Sequence, residues 1–168
     1  MKVSEFFGKR ILGTNGKEGY VVSVNAKGGS LCLICADGNE REFTVDMDNV
    51  LSLDDKIIYD GTEIENISAV PLRLGRAGFD TRGNYLGNLT DFTLSGGKLK
   101  TARIGKKNYP ADGIILGDVV IVKDMRRLKS DVTKDGRTLF KKGAYITDEV
   151  LSEAAAEGEY VQTTLKSL

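Results

Sequence analysis

Two stretches of this chain carry the same glycine spacing about 68 residues apart, and no other feature restricts the fold as much. Thr14-Asn15-Gly16-Lys17-Glu18-Gly19-Tyr20-Val21 corresponds to Thr81-Arg82-Gly83-Asn84-Tyr85-Leu86-Gly87-Asn88-Leu89, with one extra residue before Gly87. Both stretches then reach a glycine pair, Gly28-Gly29 and Gly96-Gly97, each followed by a polar residue and a leucine. The two copies also close alike, since Leu53, Asp55 and Ile58 match Leu116, Asp118 and Ile121. Self-similarity of this kind means one supersecondary unit used twice.

Each copy reads as short strands and tight turns. A lead strand, Arg10–Leu12 or Leu72–Leu74, meets a glycine turn. Strands follow at Tyr20–Val24 and Leu31–Cys35 in the first copy, and at Asn88–Leu94 and Leu99–Ile104 in the second. The glycine pairs suit hairpin turns whose two central residues both need positive φ. A short strand holds Phe43-Thr44-Val45 or Asn108-Tyr109-Pro110, and each copy closes on Lys56–Tyr59 or Asp118–Val122. Neither copy keeps helical spacing over a useful length. Five or six short strands per copy predict a small β-barrel. The fold expected is therefore mainly β, two tandem small barrels over 1–66 and 67–126, with Thr62–Val70 as linker.

Residues 127–168 belong to neither copy. They predict a hairpin turning at Asp135-Gly136, then a helix capped by Thr147 with Asp148 and Glu149 in its first turn and Gly158 beyond its end. Tyr160–Leu165 reads as a last strand. This extension is too small to expect a core of its own, so it is expected to pack on a barrel or on a neighbouring chain.

Phe7-Gly8-Lys9-Arg10-Ile11-Leu12-Gly13-Thr14-Asn15-Gly16-Lys17-Glu18-Gly19-Tyr20-Val21 resembles the opening of the PRC-barrel family. The second copy keeps the turn and strand, and its Tyr109-Pro110 resembles the family's aromatic-Pro step before the closing strand. The first copy departs from it with Phe43-Thr44. The resemblance covers Met1 to Lys123 and rests on structural glycines and apolar positions. It implies a fold and a habit of assembly through protein contact, as in the cytoplasmic domain of the photosynthetic reaction-centre H subunit and the C-terminal domain of the ribosome maturation factor. Nothing here resembles the membrane helix of the first or the other domain of the second.

The chemistry on offer is narrow. There is no histidine, which removes Ser-His-Asp and Cys-His catalysis. Gly75-Arg76-Ala77-Gly78 lacks the spacing of a phosphate-binding loop. Cys32 and Cys35 lie in an apolar run that reads as a strand, so they are expected as buried free thiols rather than redox or metal ligands. Asp46, Asp48, Asp54, Asp55 and Asp60 are read as solvated loop carboxylates rather than a cation site. No cofactor is expected and no catalytic or metal residue is assigned.

Net charge is zero but unevenly laid out: residues 1–66 carry 7 basic and 12 acidic side chains, residues 67–126 carry 10 and 5, and the rest carry 7 of each. The asymmetry marks an interaction surface, or two halves that attract each other within or between chains. The candidate contact residues are Lys98, Lys100, Arg103, Lys106 and Lys107, with Arg73, Arg76 and Arg82 as further contributors. A basic strand face of this kind suits an acidic protein surface or RNA phosphates, and equally an ordinary solvated face. The function expected is a non-catalytic binding or assembly protein, with RNA or ribosome association as the alternative and homo-oligomers allowed. With no apolar run fit for a signal peptide or a membrane span, a cytoplasmic location is expected.

Overall fold

The computed structural model describes residues 1–27, 30–65 and 68–167. The Gly28-Gly29 turn expected from the sequence therefore lies outside the described residues. The first strand run comprises β1 (Arg10–Gly13), β2 (Glu18–Lys27), β3 (Ser30–Ala36), β4 (Glu42–Asp46), β5 (Val50–Ser52) and β6 (Ile57–Tyr59). After the short β7 (Val70–Pro71) comes a second run: β8 (Ala77–Asp80), β9 (Tyr85–Ser95), β10 (Lys98–Ile104), β11 (Lys107–Pro110), β12 (Ile114–Leu116) and β13 (Val120–Val122). The tail holds β14 (Val132–Lys134), β15 (Arg137–Phe140), α1 (Asp148–Ala156) and α2 (Tyr160–Leu165).

The fold is mainly β. In the first run β1 pairs antiparallel with β2, β2 with β3 and β3 with β4, while β6 returns to pair parallel with β1 and antiparallel with β5. The second run has the same set of pairings, with β8 and β13 as the parallel pair. Neither run closes into a barrel among the described strands. β4 leaves the sheet through a 3-10 turn at Met47–Asn49 and is not paired with β5. Instead the two runs join through one residue pair at the strand ends, Lys98 of β10 with Ser30 of β3, giving one open sheet of thirteen strands among the described residues.

The matched glycines do matched work. Gly16 and Gly83 both sit at φ +85°, in turns whose backbone bonds correspond: Gly16 donates to the Gly13 carbonyl at 2.9 Å and Gly83 to the Asp80 carbonyl at 3.1 Å. Gly19 and Gly87 are needed for close approach. A Cβ on Gly19 would lie 2.5 Å from the Ala36 carbonyl oxygen, and one on Gly87 2.6 Å from the Gly105 Cα. Gly96 and Gly97, at φ +58° and +75°, make the two-residue turn between β9 and β10.

The second lead strand is not Leu72–Leu74 but Ala77–Asp80. Leu72 instead fills the core at 2% exposure, with its N–H on the Val24 carbonyl. Gly78 lets β8 press against Ile104, whose Cγ2 would be 2.6 Å from an added Cβ. The expected linker Thr62–Val70 is partly held to the sheet: the Ile64 N–H bonds the Thr44 carbonyl at 2.9 Å, and Val70 pairs with Ala26.

One apolar core serves both runs. It includes Val3, Phe6, Ile11, Leu33, Ile57 and Tyr59 from the first, and Leu89, Phe92, Ala102, Ile104 and Val120 from the second. The N-terminus stitches the runs together, since Lys2 bridges to Thr93, the Leu94 N–H bonds the Met1 carbonyl and the Ser4 N–H bonds the Asp91 carboxylate. No ion pair among the described residues joins the acidic half to the basic half. The halves are thus held by apolar packing and backbone pairing, not by their opposite charges.

The tail corrects two expectations. It has its own small cluster of Leu128, Val132, Phe140 and Ala154, because α1 folds back over the hairpin. And Tyr160–Leu165 is helical, not a strand. The β14 edge that a strand would have paired is satisfied by a side chain: the Gln162 amide accepts from the Thr133 N–H at 3.2 Å and donates to its carbonyl at 3.0 Å. The first helix is as read from sequence, with the Thr147 hydroxyl accepting from the Val150 N–H at 3.1 Å. Among the described residues no helix is long and apolar enough to cross a membrane.

The two glycine roles separate in a denaturation experiment. Gly83→Ala meets open space and suffers only left-handed backbone strain, about 1–2 kcal/mol. Gly87→Ala must also displace the Gly105 backbone, so its loss in urea unfolding is expected to be clearly larger; equal losses would contradict the close-approach role.

Candidate interaction surface

The five basic residues singled out in the sequence are all exposed, and the structure divides them. Lys98, Lys100 and Arg103 lie on β10, while Lys106 lies in the turn after it and Lys107 opens β11. Along β10, Leu99 faces Leu94 and Thr101 faces Thr93, which leaves Lys100 without an opposite residue. Strand alternation keeps Lys98 and Lys100 outward and Leu99 and Thr101 less exposed, and past the bulge the pattern shifts so that Ala102 is buried and Arg103 exposed. The Thr101 hydroxyl bonds that of Thr93 at 2.6 Å, which fixes the strand beneath the two lysines.

The tail stands opposite. A groove of ≈ 710 Å³ runs between β10 and the start of α1, within the roughly 300–1,000 Å³ usual for binding clefts. Lys98 and Lys100 line it from β10 and Asp148, Glu149 and Glu153 from α1, with Asp112 as a further carboxylate and Leu99, Leu139, Phe140 and Val150 supplying apolar lining. The Lys100 ammonium reaches both Glu149 carboxylate oxygens at 3.1 Å. These side chains are 51% and 70% exposed, so the pair contributes only about 0–1 kcal/mol. The acidic lining from α1 was read in the sequence only as a helix N-terminal preference. Glu149 and Glu153, four residues apart and hence on one helix face, were the signal for it.

Arg103, Lys106 and Lys107 do not line this groove and make no ion pair among the described residues. Of the further arginines, Arg76 is engaged elsewhere: its guanidinium donates to the Gly117 carbonyl and lies 3.5 Å from the Asp118 carboxylate. Tyr109 packs partly against the core opposite Ala102, and burial pushes its phenol up. Its ring is therefore no free stacking platform.

The remaining chemistry-bearing side chains have structural roles. The Asp46 carboxylate accepts from the Asp48 N–H at 2.9 Å and so caps the 3-10 turn. Asp54 accepts from the Ser52 hydroxyl, and Asp60 from the Thr62 N–H, a bond that holds its carboxyl below the usual range. Cys32 and Cys35 are buried and free. Burial first, then Asp46, raises the Cys32 thiol, and burial followed by Glu63 pushes Cys35 up to about 12. Tyr59, fully buried beside Phe43, is likewise pushed up to about 12, chiefly by burial.

No protein-family model matches this sequence, and no curated protein matches it.

The thiols yield a direct test. A thiol shifted up to about 12 carries almost no thiolate at pH 8, so Cys35 is expected to resist alkylation in the native chain and to react on unfolding. The sign for stability follows: the native state holds a proton that the unfolded state loses first, so stability falls as pH rises from about 9 toward about 12. Prompt native labelling of Cys35 at pH 8, or stability flat over that window, would contradict the burial seen here.

Proposed function

We propose that the chain is a non-catalytic binding or assembly protein built from two PRC-like barrel units, each open among the described strands, and that the groove between β10 and α1 receives its partner. The observation that carries this reading is the groove itself: apolar lining, with lysines from β10 and carboxylates from α1. Apolar lining supplies affinity, and charges of both signs orient a partner and reject mismatched ones. The barrel part of the reading is supported by the pairing order that recurs in the two runs and by the glycines with matched φ. The partner class favoured is a protein segment with apolar side chains flanked by both charges.

A second reading, RNA or ribosome association, rests on the exposure of Lys98, Arg103, Lys106 and Lys107 on one hairpin. Phosphate binding through such a cluster loses affinity steeply with salt.

One set of variants separates the two. Filling the groove with Leu99→Trp is expected to reduce recovery of a protein partner in pull-downs from the native host. Reversing Lys106 and Lys107 to Glu, outside the groove, is expected to leave that recovery unchanged. Under the RNA reading, fluorescence anisotropy with a labelled single-stranded RNA would instead show strong salt dependence and a loss in the Lys106→Glu/Lys107→Glu variant. Partner recovery insensitive to Leu99→Trp overturns the groove reading, and RNA binding that is absent at low salt overturns the second.

A further inference from the structure

The C-terminal helix α2 is docked inside out. Its polar side chains face the protein: Thr163 is fully buried, Gln162 holds both backbone groups of Thr133, and the Lys166 ammonium donates to the Asp131 carbonyl at 2.6 Å. Its apolar side chains face out, with Tyr160, Val161 and Leu165 exposed at 49%, 69% and 63%. Positions 161 and 165 lie one turn apart and form a single ridge. A helix tied down by polar contacts has not placed this ridge outward for lack of a better arrangement; the inward face is fully used by specific bonds.

Beside the ridge lies a hollow of ≈ 300 Å³ whose apolar lining is Met125, Ile146, Leu151 and Tyr160, with Thr164 and Ser167 as its hydroxyl-bearing part. Asp124 and Arg126 also line it. Both are exposed and neither forms an ion pair among the described residues, although Asp124 accepts from the Thr81 hydroxyl at 3.0 Å. An apolar knob, a hollow, an acid and a base thus share one surface of one chain.

We propose that this surface is a two-fold interface with a second copy of the chain, in which Leu165 and Val161 of each copy enter the hollow of the other. In a two-fold contact residue i meets j while j meets i, so a surface that carries both halves of each complementary pair matches itself. Asp124 of one copy then faces Arg126 of the other, twice. Like charges there would have spoken against this arrangement, whereas one acid and one base support it. A ridge of two side chains and one hollow is a small contact, below the roughly 1,200–2,000 Å² of standard interfaces, so the dimer is weak and concentration-dependent. The contact uses none of the residues that line the β10 groove, and does not depend on what that groove binds.

Sedimentation equilibrium across a concentration series reaching the millimolar range tests it. The mass is expected to rise from 18.3 kDa toward twice that value. Leu165→Asp, at an exposed position, is expected to weaken dimerisation roughly ten-fold or more with an unchanged far-ultraviolet circular dichroism spectrum. Asp124→Arg and Arg126→Asp should each weaken it, and the double reversal should restore it, a rescue that a merely structural role would not produce. A chain that stays monomeric throughout, a Leu165→Asp variant that associates like the wild type, or a double reversal that fails to restore association would each overturn the proposal.

Discussion

Each strand run depends on one parallel pairing between its first and last members. Ile11, Leu12 and Gly13 lie beside Ile57, Ile58 and Tyr59, and Gly78, Phe79 and Asp80 beside Val120, Ile121 and Val122. A parallel pair cannot be made by a hairpin, so the intervening chain must travel out and return. The strands β2 to β5, and β9 to β12, are that excursion. The pairing also explains Gly13, which Tyr59 of the paired β6 crowds closely enough to leave no room for a side chain. Gly78 is crowded instead by Ile104 of β10.

The second constraint is the shared core. The N-terminal turn inserts Val3 and Phe6, both nearly free of solvent, and binds β9 through backbone and Ser4. The two runs consequently meet through apolar surface, and their opposite charges are left facing outward. Among the described residues only Lys100 of the basic half forms an ion pair beyond its own run, and its partner is in the tail. Charge therefore does not assemble this molecule; it patterns the surfaces left over after packing.

Much of the fold was legible in the sequence, for a definite reason. A glycine required at φ +85° or at a backbone contact leaves a mark that composition and spacing reveal, and Gly16, Gly83, Gly19 and Gly87 all left it. The misplaced lead strand was legible too. Ala77–Asp80 stands as far from Arg10–Gly13 as Gly83 does from Gly16, an offset that Leu72–Leu74 does not keep. The last helix was not legible. Tyr160–Leu165 has the β-branched and aromatic content of a strand, and what overrides that preference is Gln162 occupying the β14 edge, a contact between residues 29 apart.

The candidate surface divides in the same way. Sequence alone determined that Lys98 and Lys100 point outward, that the cysteines are buried and that α1 begins at Thr147, because strand alternation, apolar runs and helix caps are local rules. Only the tertiary structure decided that the carboxylates of α1 stand across a groove from those lysines, that the acidic and basic halves meet without an ion pair among the described residues, and that α2 turns its apolar side outward. Each of these is a juxtaposition of elements distant in the chain. Their positions follow from how the apolar core closes, to which exposed charges contribute almost nothing.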